Sequence, residues 1–264
     1  MKNIVFLLVG ICLLVSCSKT KTTTSTTPTP PTSTGSPVSG IVSYMNLHCE
    51  IDGLNPEEIT DSIFYATSGL MNRTSRPNEK TLKDFTYNGS NIVRTNYYLN
   101  SVLIGKDTLY YSGSQLDSSK YIPSDTTVKG QTIRRSYASG KITKLVYVNP
   151  DNTTPNKKNY TFDVSGNLKS IEITDGNGNF QNSYEYYYGS TVNKLSTTAM
   201  KSFYETLPVN SYLAGFVYSA SLPDSIVYKE GTKTQGFKMS YNVSTNDYVV
   251  DVISNGKKWI TFGY

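Results

Sequence analysis

The chain has 264 residues, of which 37% are hydrophobic, 12% aromatic and 17% charged, with a formal net charge of +5. It is long enough to bury a sizeable core, and its small positive charge, with no dense run of Lys and Arg, argues against nucleic acid as a partner. A single histidine, His48, and the lack of a Gly-x-Ser-x-Gly elbow argue against hydrolysis by a Ser-His-Asp or Cys-His arrangement.

Lys2 opens a short basic segment, followed by an apolar run from Ile4 to Val15. That run is too short for a membrane-spanning helix, which needs about 20 residues, but it fits the apolar region of an export signal. Leu14-Val15-Ser16-Cys17 resembles a bacterial lipobox, in which a small residue precedes the cysteine that becomes acylated. The resemblance implies a signal peptide over residues 1–16 and lipid attachment at Cys17, through which the protein is held to a membrane. Loss of the leader removes Lys2 and leaves a net charge of +4.

Residues 17–39 hold the acylated cysteine and a tether, SKTKTTTSTTPTPPTSTGSP, made almost wholly of Thr, Ser, Pro and Lys. The tether lacks the large apolar side chains needed to offset the entropy of ordering, so it is expected to stay extended and disordered. Residues 40–264 form one repetitive domain. Near its start His48 and Cys49 are adjacent; on a strand they point to opposite faces and do not converge on a metal ion. With Cys17 acylated, Cys49 has no disulfide partner in the processed chain. Asn55-Pro56-Glu57-Glu58 carries the signals of a helix start, a reading limited to one turn by the strand pattern that follows.

That pattern is repetitive. Asp61-Ser62-Ile63-Phe64-Tyr65 is echoed by Asp107-Thr108-Leu109-Tyr110-Tyr111 and by Asp224-Ser225-Ile226-Val227-Tyr228, at separations of 46 and 117 residues. These are close to multiples of about 23 residues. Gly89, Gly113, Gly140, Gly166 and Gly189, each preceded by aromatics, follow one another at intervals of 24, 27, 26 and 23 residues. Each unit reads as one β-hairpin with its return connection. In the clearest unit Tyr160, Phe162 and Val164 alternate with Thr161 and Asp163, Ser165-Gly166-Asn167 supplies the turn, and Leu168 leads back to Ile171-Glu172-Ile173. Further on, Tyr184, Tyr186 and Tyr188 share a face with Tyr187 opposite, and Tyr248, Val250 and Val252 share another.

Alternation this regular argues against helices. Many antiparallel strands with one apolar face must cover that face or close upon it, so the expected fold is all-β: a large curved antiparallel meander of repeated hairpins, barrel-like or half-barrel, with a two-sheet sandwich as the alternative. A membrane-spanning barrel is disfavoured, since a lipid anchor and a long tether would be redundant for it.

YTFDVSGNLKSI at 160–171, echoed by FTYNGSNIV at 85–93 and by MSYNVSTNDYVV at 239–250, resembles the YD repeat of Rhs-type proteins. More closely it is similar to the degenerate repeat of Gram-negative lipoproteins of unknown function with a porin-like antiparallel sheet. Outside the 160–171 copy the Tyr-Asp pair becomes Tyr-Asn, Tyr-Ser or Tyr-Ala. The resemblance covers residues 60–264 and implies a fold and an envelope location, without catalytic residues. Ser18 stands where, in the lipoproteins it resembles, an aspartate marks inner-membrane retention, which implies the outer membrane. The Lys-Thr-Lys-Thr that follows lacks the acidic cluster of surface-exported relatives, which tilts the expectation toward the periplasmic side.

Candidate chemistry is sparse. Asp175-Gly176-Asn177-Gly178-Asn179 imitates half a calcium loop, but Phe180 and Tyr186 stand where glycine and a bidentate acid belong, so the segment reads as a hairpin turn. Most of the acids are expected in turns or on the solvated face. No cofactor, metal or catalytic residue is expected. Most of the 22 tyrosines are expected to fill the core, with Tyr97, Tyr187 and Tyr204 as candidates for an exposed surface that stacks on glycans. The expected function is that of a non-catalytic, lipid-anchored envelope protein, a scaffold or binding module for a glycan or an envelope protein. The alternatives are a glycan-binding accessory lipoprotein of an uptake system and, more remotely, a carbohydrate-active hydrolase.

Overall fold

The computed structural model describes residues 44–48, 58–66, 68–195, 211–246 and 248–263. Sixteen strands follow in chain order. They are β1 (Tyr44–His48), β2 (Glu58–Tyr65), β3 (Met71–Arg76), β4 (Thr81–Asn88), β5 (Asn91–Leu99), β6 (Val102–Ser112), β7 (Gln115–Pro123) and β8 (Gln131–Ala138). The second half contains β9 (Lys141–Val148), β10 (Asn156–Phe162), β11 (Leu168–Asp175), β12 (Phe180–Val192), β13 (Ser221–Glu230), β14 (Lys233–Val243), β15 (Val249–Ser254) and β16 (Lys257–Gly263). Among the described residues one α-helix, α1 (Ser211–Val217), lies between β12 and β13, and a 3-10 turn, Pro77–Glu79, joins β3 to β4.

Every strand pairs antiparallel with its sequence neighbours, and β1 pairs with β16 (Met45 opposite Phe262), so the meander closes into a barrel. The expected meander is therefore correct in its closed form, and the sandwich alternative is not what forms. Closure is the solution that leaves no sheet edge unpaired.

The alternation decides inside from outside. Ile63, Phe85, Leu109, Leu145, Ile171, Ile226, Val252 and Ile260 point inward and are buried. On β6, β7, β8, β11 and β14, Lys106, Lys120, Arg134, Glu172 and Lys238 point outward and are exposed. A wall facing lipid needs an apolar band; these outward positions carry charges instead.

A barrel of sixteen strands ordinarily surrounds a channel. Here α1 lies inside it. Tyr186 on β12 donates from its hydroxyl to the Ser211 carbonyl, and Lys158 on β10 donates from Nζ to Ser211 Oγ at 3.1 Å. Phe216 packs edge-on against Tyr241 of β14 and Trp259 of β16, with ring centroids 6.3 and 6.4 Å away. Strand alternation gave no sign of this helix, and the expectation of a helix-free domain is corrected by it. A β-carbon at Gly215 would stand 2.7 Å from the Tyr186 ring, so glycine is what allows the close approach.

The repeat has a physical meaning at one rim of the barrel, which we call the ladder rim. A tyrosine near the end of each outgoing strand donates its hydroxyl to a backbone carbonyl of an earlier repeat. Tyr87 donates to Met71 (2.5 Å), Tyr111 to Ile92 (3.0 Å), Tyr137 to Leu116 (2.9 Å), Tyr188 to Leu168 (2.7 Å) and Tyr241 to Pro223. Phe162 holds the corresponding place in the β10–β11 hairpin without a hydroxyl. Burial pushes Tyr87 up to about 12 and moves Tyr188 and Tyr241 in the same direction, so the ladder stays protonated at neutral pH. Replacing Tyr137 by Phe should lower unfolding free energy by about 1 kcal/mol, the net value of one such bond; an unchanged urea midpoint would remove the ladder from the list of stabilising features.

Turn geometry follows the glycines at four of the five expected places, where Gly89, Gly113, Gly140 and Gly166 all have positive φ. Gly189 is different: it lies within β12, and a β-carbon there would meet the Asp224 carboxylate at 2.3 Å. Val164, expected on the apolar face, is fully exposed in the turn after β10. On β15 the buried residues are Val249, Asp251 and Val252 rather than a set of Tyr248, Val250 and Val252, because a bulge opposite Asn242 and Val243 shifts the register. His48 ends β1, while Cys17, Cys49 and residues 55–57 lie outside the described residues.

Candidate functional site

Two places concentrate polar chemistry: the inside of β4–β8, and the outer wall of β2–β5. Inside, successive strands each contribute one inward polar residue, namely Lys83, Tyr97, Asp107, Tyr121 and Arg135. Lys83, Tyr97 and Arg135 are buried. Tyr97 donates its hydroxyl to Asp107 Oδ2 and meets the Tyr121 ring edge-on at 5.8 Å. Arg135 Nη1 donates to Ser119 Oγ at 3.1 Å, and Lys83 Nζ stands 6.0 Å from the Tyr97 ring centre. Gly105, directly across from Tyr97, makes room for Tyr121, whose ring would lie 2.7 Å from an added β-carbon.

Burial pushes the Asp107 carboxyl up to about 6, against the Tyr97 hydrogen bond and the positive charges of Arg135 and Lys83, which pull it down. Most of the acids were expected in turns or on the solvated face, and Asp107 is an exception to that pattern. The signal was in the repeat itself, since Asp107, Leu109 and Tyr111 alternate onto one face. Glycosidase chemistry needs a second carboxyl facing the first; on the adjoining strands Asp84 faces outward and Asp117 is exposed. The cluster is a hydrogen-bonded filling of the barrel, and among the described residues no group of three or more His, Cys, Asp or Glu converges.

Lys158, like Arg76, is a further buried cation. Desolvation pulls its ammonium down to about 8, and its bond to Ser211 ties β10 to the start of α1.

The glycan-stacking candidates separate. Tyr97 is inside the barrel and 8% exposed, which corrects its place on an outer surface. Tyr187 is on the outer wall, 52% exposed, donating to Glu185, which also pairs with Lys229 at 2.6 Å. Tyr204 lies outside the described residues. In the Asp175 turn, Oδ1 accepts the backbone N–H groups of Asn177 and Asn179 at 2.9 and 2.8 Å. The carboxylate thereby closes the turn, with Gly178 at φ 94°.

Sequence reading missed the outer wall of β2–β5, where two depressions meet. One, of about 530 Å³, runs along Phe64, Asn72, Arg73 and Asp84. The other, of about 640 Å³, is lined by Arg73, Asp84, Leu82, Tyr98, Asn100 and Ser101, among others. Arg73 and Asp84 belong to both and form an ion pair at 2.7 Å. The hydrogen bond to Asp84 holds the guanidinium firmly charged, with added contributions from Asp84 and Tyr98 as charges. Tyr98 lines this trough because it is one residue on from inward-facing Tyr97.

No protein-family model and no curated protein matches the chain. Among solved structures, it is similar to a porin-like protein from Bacteroides vulgatus, with 17% identity, a TM-score of 0.54, and coverage of 84% of this chain and 98% of that one. A porin-like protein from Bacteroides uniformis aligns over 84% of this chain and 96% of its own, at 12% identity and a TM-score of 0.48. At 17% identity the first likeness concerns fold: the chain shares the all-β antiparallel barrel architecture of a porin-like protein.

Proposed function

We propose that the protein is a non-catalytic lipoprotein of the bacterial envelope, anchored through Cys17 and carrying its barrel on the 17–39 tether as a scaffold or binding body. The observation that carries this reading is the inverted polarity of the barrel, with an apolar, helix-filled inside and a hydrophilic outside. Such a body is at home in water and needs a separate device to stay at a membrane. The outer membrane, with the barrel on the periplasmic side, is the proposed location. Glycan binding is a second reading, supported by the aromatic and polar lining of the outer trough.

Replacing Cys17 by Ser should abolish incorporation of labelled palmitate and move the protein from the membrane to the soluble fraction of broken cells. Retention in the membrane with no label on either form would refute the anchor. A non-permeant protease added to intact cells tests the side: survival until the outer membrane is opened is expected, and immediate loss would put the barrel on the cell surface.

A further inference from the structure

The outward residues of β2–β5 stand in cross-strand register. Phe64 is opposite Arg73, Arg73 opposite Asp84, and Asp84 opposite Asn96, while in the neighbouring row Ser75 is opposite Leu82 and Leu82 opposite Tyr98. The trough therefore has an aromatic near each side, Phe64 at 44% exposure and Tyr98 half-buried, with the Arg73–Asp84 pair between them. Hydroxyl and amide groups of Ser75, Thr81, Asn100 and Ser101 lie along the second depression.

We propose that this trough binds a short neutral oligosaccharide, with Phe64 and Tyr98 stacking on sugar faces and the Arg73–Asp84 pair hydrogen-bonding the hydroxyls between them. This rests on the reading of the barrel as a binding body. A sugar ring presents an apolar C–H face and a rim of hydroxyls that both donate and accept. An aromatic face answers the first, and a guanidinium paired with a carboxylate supplies donors and acceptors side by side. The depressions fall in the size range of small-ligand sites. From β2 to β5 there are three inter-strand spacings, about 14 Å, too far for one sugar unit to touch both rings.

Other occupants fit less well. An anion would meet Lys80 beside the Asn100–Ser101 turn, but the central cation, Arg73, is already held by Asp84 at 2.7 Å. An extended peptide adds to an open sheet edge, and β2–β5 are each paired on both sides. A lipid chain would meet an ion pair in the middle of its path. The trough also reaches the turn at Asn100 and Ser101, on the rim opposite the one where β1 begins.

The test is affinity electrophoresis of the full chain in mild detergent through gels containing xylan, glucomannan, β-1,3-glucan, α-mannan or starch. Retardation by at least one polymer is expected, weakened roughly tenfold or more by Phe64→Ala and by Tyr98→Ala. Tyr98→Phe should retain it, and Phe180→Ala, on β12 away from the trough, should leave it unchanged. Circular dichroism confirms that each variant is folded, and a misfolded one is replaced by Arg73→Met, which instead removes the hydroxyl contacts in the middle of the same trough. Retardation indifferent to Phe64, Arg73 and Tyr98 would overturn the trough as the site while leaving glycan binding standing. Failure of every polymer to retard the wild type would overturn the inference, and the scaffold reading would remain.

Discussion

Replacing Phe216 by alanine is expected to destabilise the protein by about 3–5 kcal/mol, the range for removing a buried phenylalanine from a core that only partly collapses. Folded domains hold about 5–15 kcal/mol in all, so this one change would remove a large share. The physical reason is that α1 has only seven residues, too few to persist by its own hydrogen bonds. It is held by side chains that meet the barrel from within. Phe216 is 3% exposed and touches the rings of Tyr241 and Trp259, which come from strands far apart in sequence. Its loss leaves a cavity between α1, β14 and β16. Equilibrium unfolding in urea should show a lower midpoint with an unchanged slope. A midpoint equal to that of the wild type would mean that α1 is not part of the cooperative core.

Asp107→Ala should cost about 3–5 kcal/mol, because it takes the carboxylate from beside buried Arg135 and Lys83 and removes the acceptor of the Tyr97 hydroxyl. Asp107→Asn keeps an acceptor and should cost much less. The two states also titrate differently. The Asp107 carboxyl moves from an ordinary 3.8 to about 6 on folding, chiefly through desolvation. Between these values the folded protein binds a proton that the unfolded chain has released. By linkage, the contribution of this group to stability is then greatest at low pH and falls as pH rises through that window, with the full cost of a buried charge reached above pH 6. Unfolding free energies of wild type and Asp107→Asn, taken at pH 4.5 and pH 7, should therefore diverge. The variant should gain on the wild type at pH 7; equal differences at both values would show that Asp107 is ionised with the same ease folded and unfolded.

The hairpins were legible in the sequence because their information is local. Strand alternation has a period of two, a turn with positive φ calls for glycine, and Gly89, Gly113, Gly140 and Gly166 mark four turns of the barrel. Local too was the face occupied by Tyr184, Tyr186 and Tyr188, with Tyr187 opposite and exposed. The polar sites were less legible. Tyr97 and Tyr98 are adjacent and chemically alike; which of them enters the barrel and which lines the outer trough depends on the bulges at Val93 and Ile104, which offset the strand pairing.

By itself, then, the sequence determined an all-β antiparallel meander with one apolar face and its repeated turns, since each follows from neighbouring residues. Only the tertiary structure decided that β1 meets β16, that residues 211–217 coil inside the barrel, and that Lys83, Asp107 and Arg135 meet there. Closure brings together strands separated by most of the chain. A short helix such as α1 forms because the barrel offers Trp259, Tyr241 and Tyr186 to pack against, a condition that no local pattern in the SYLAGFV segment records.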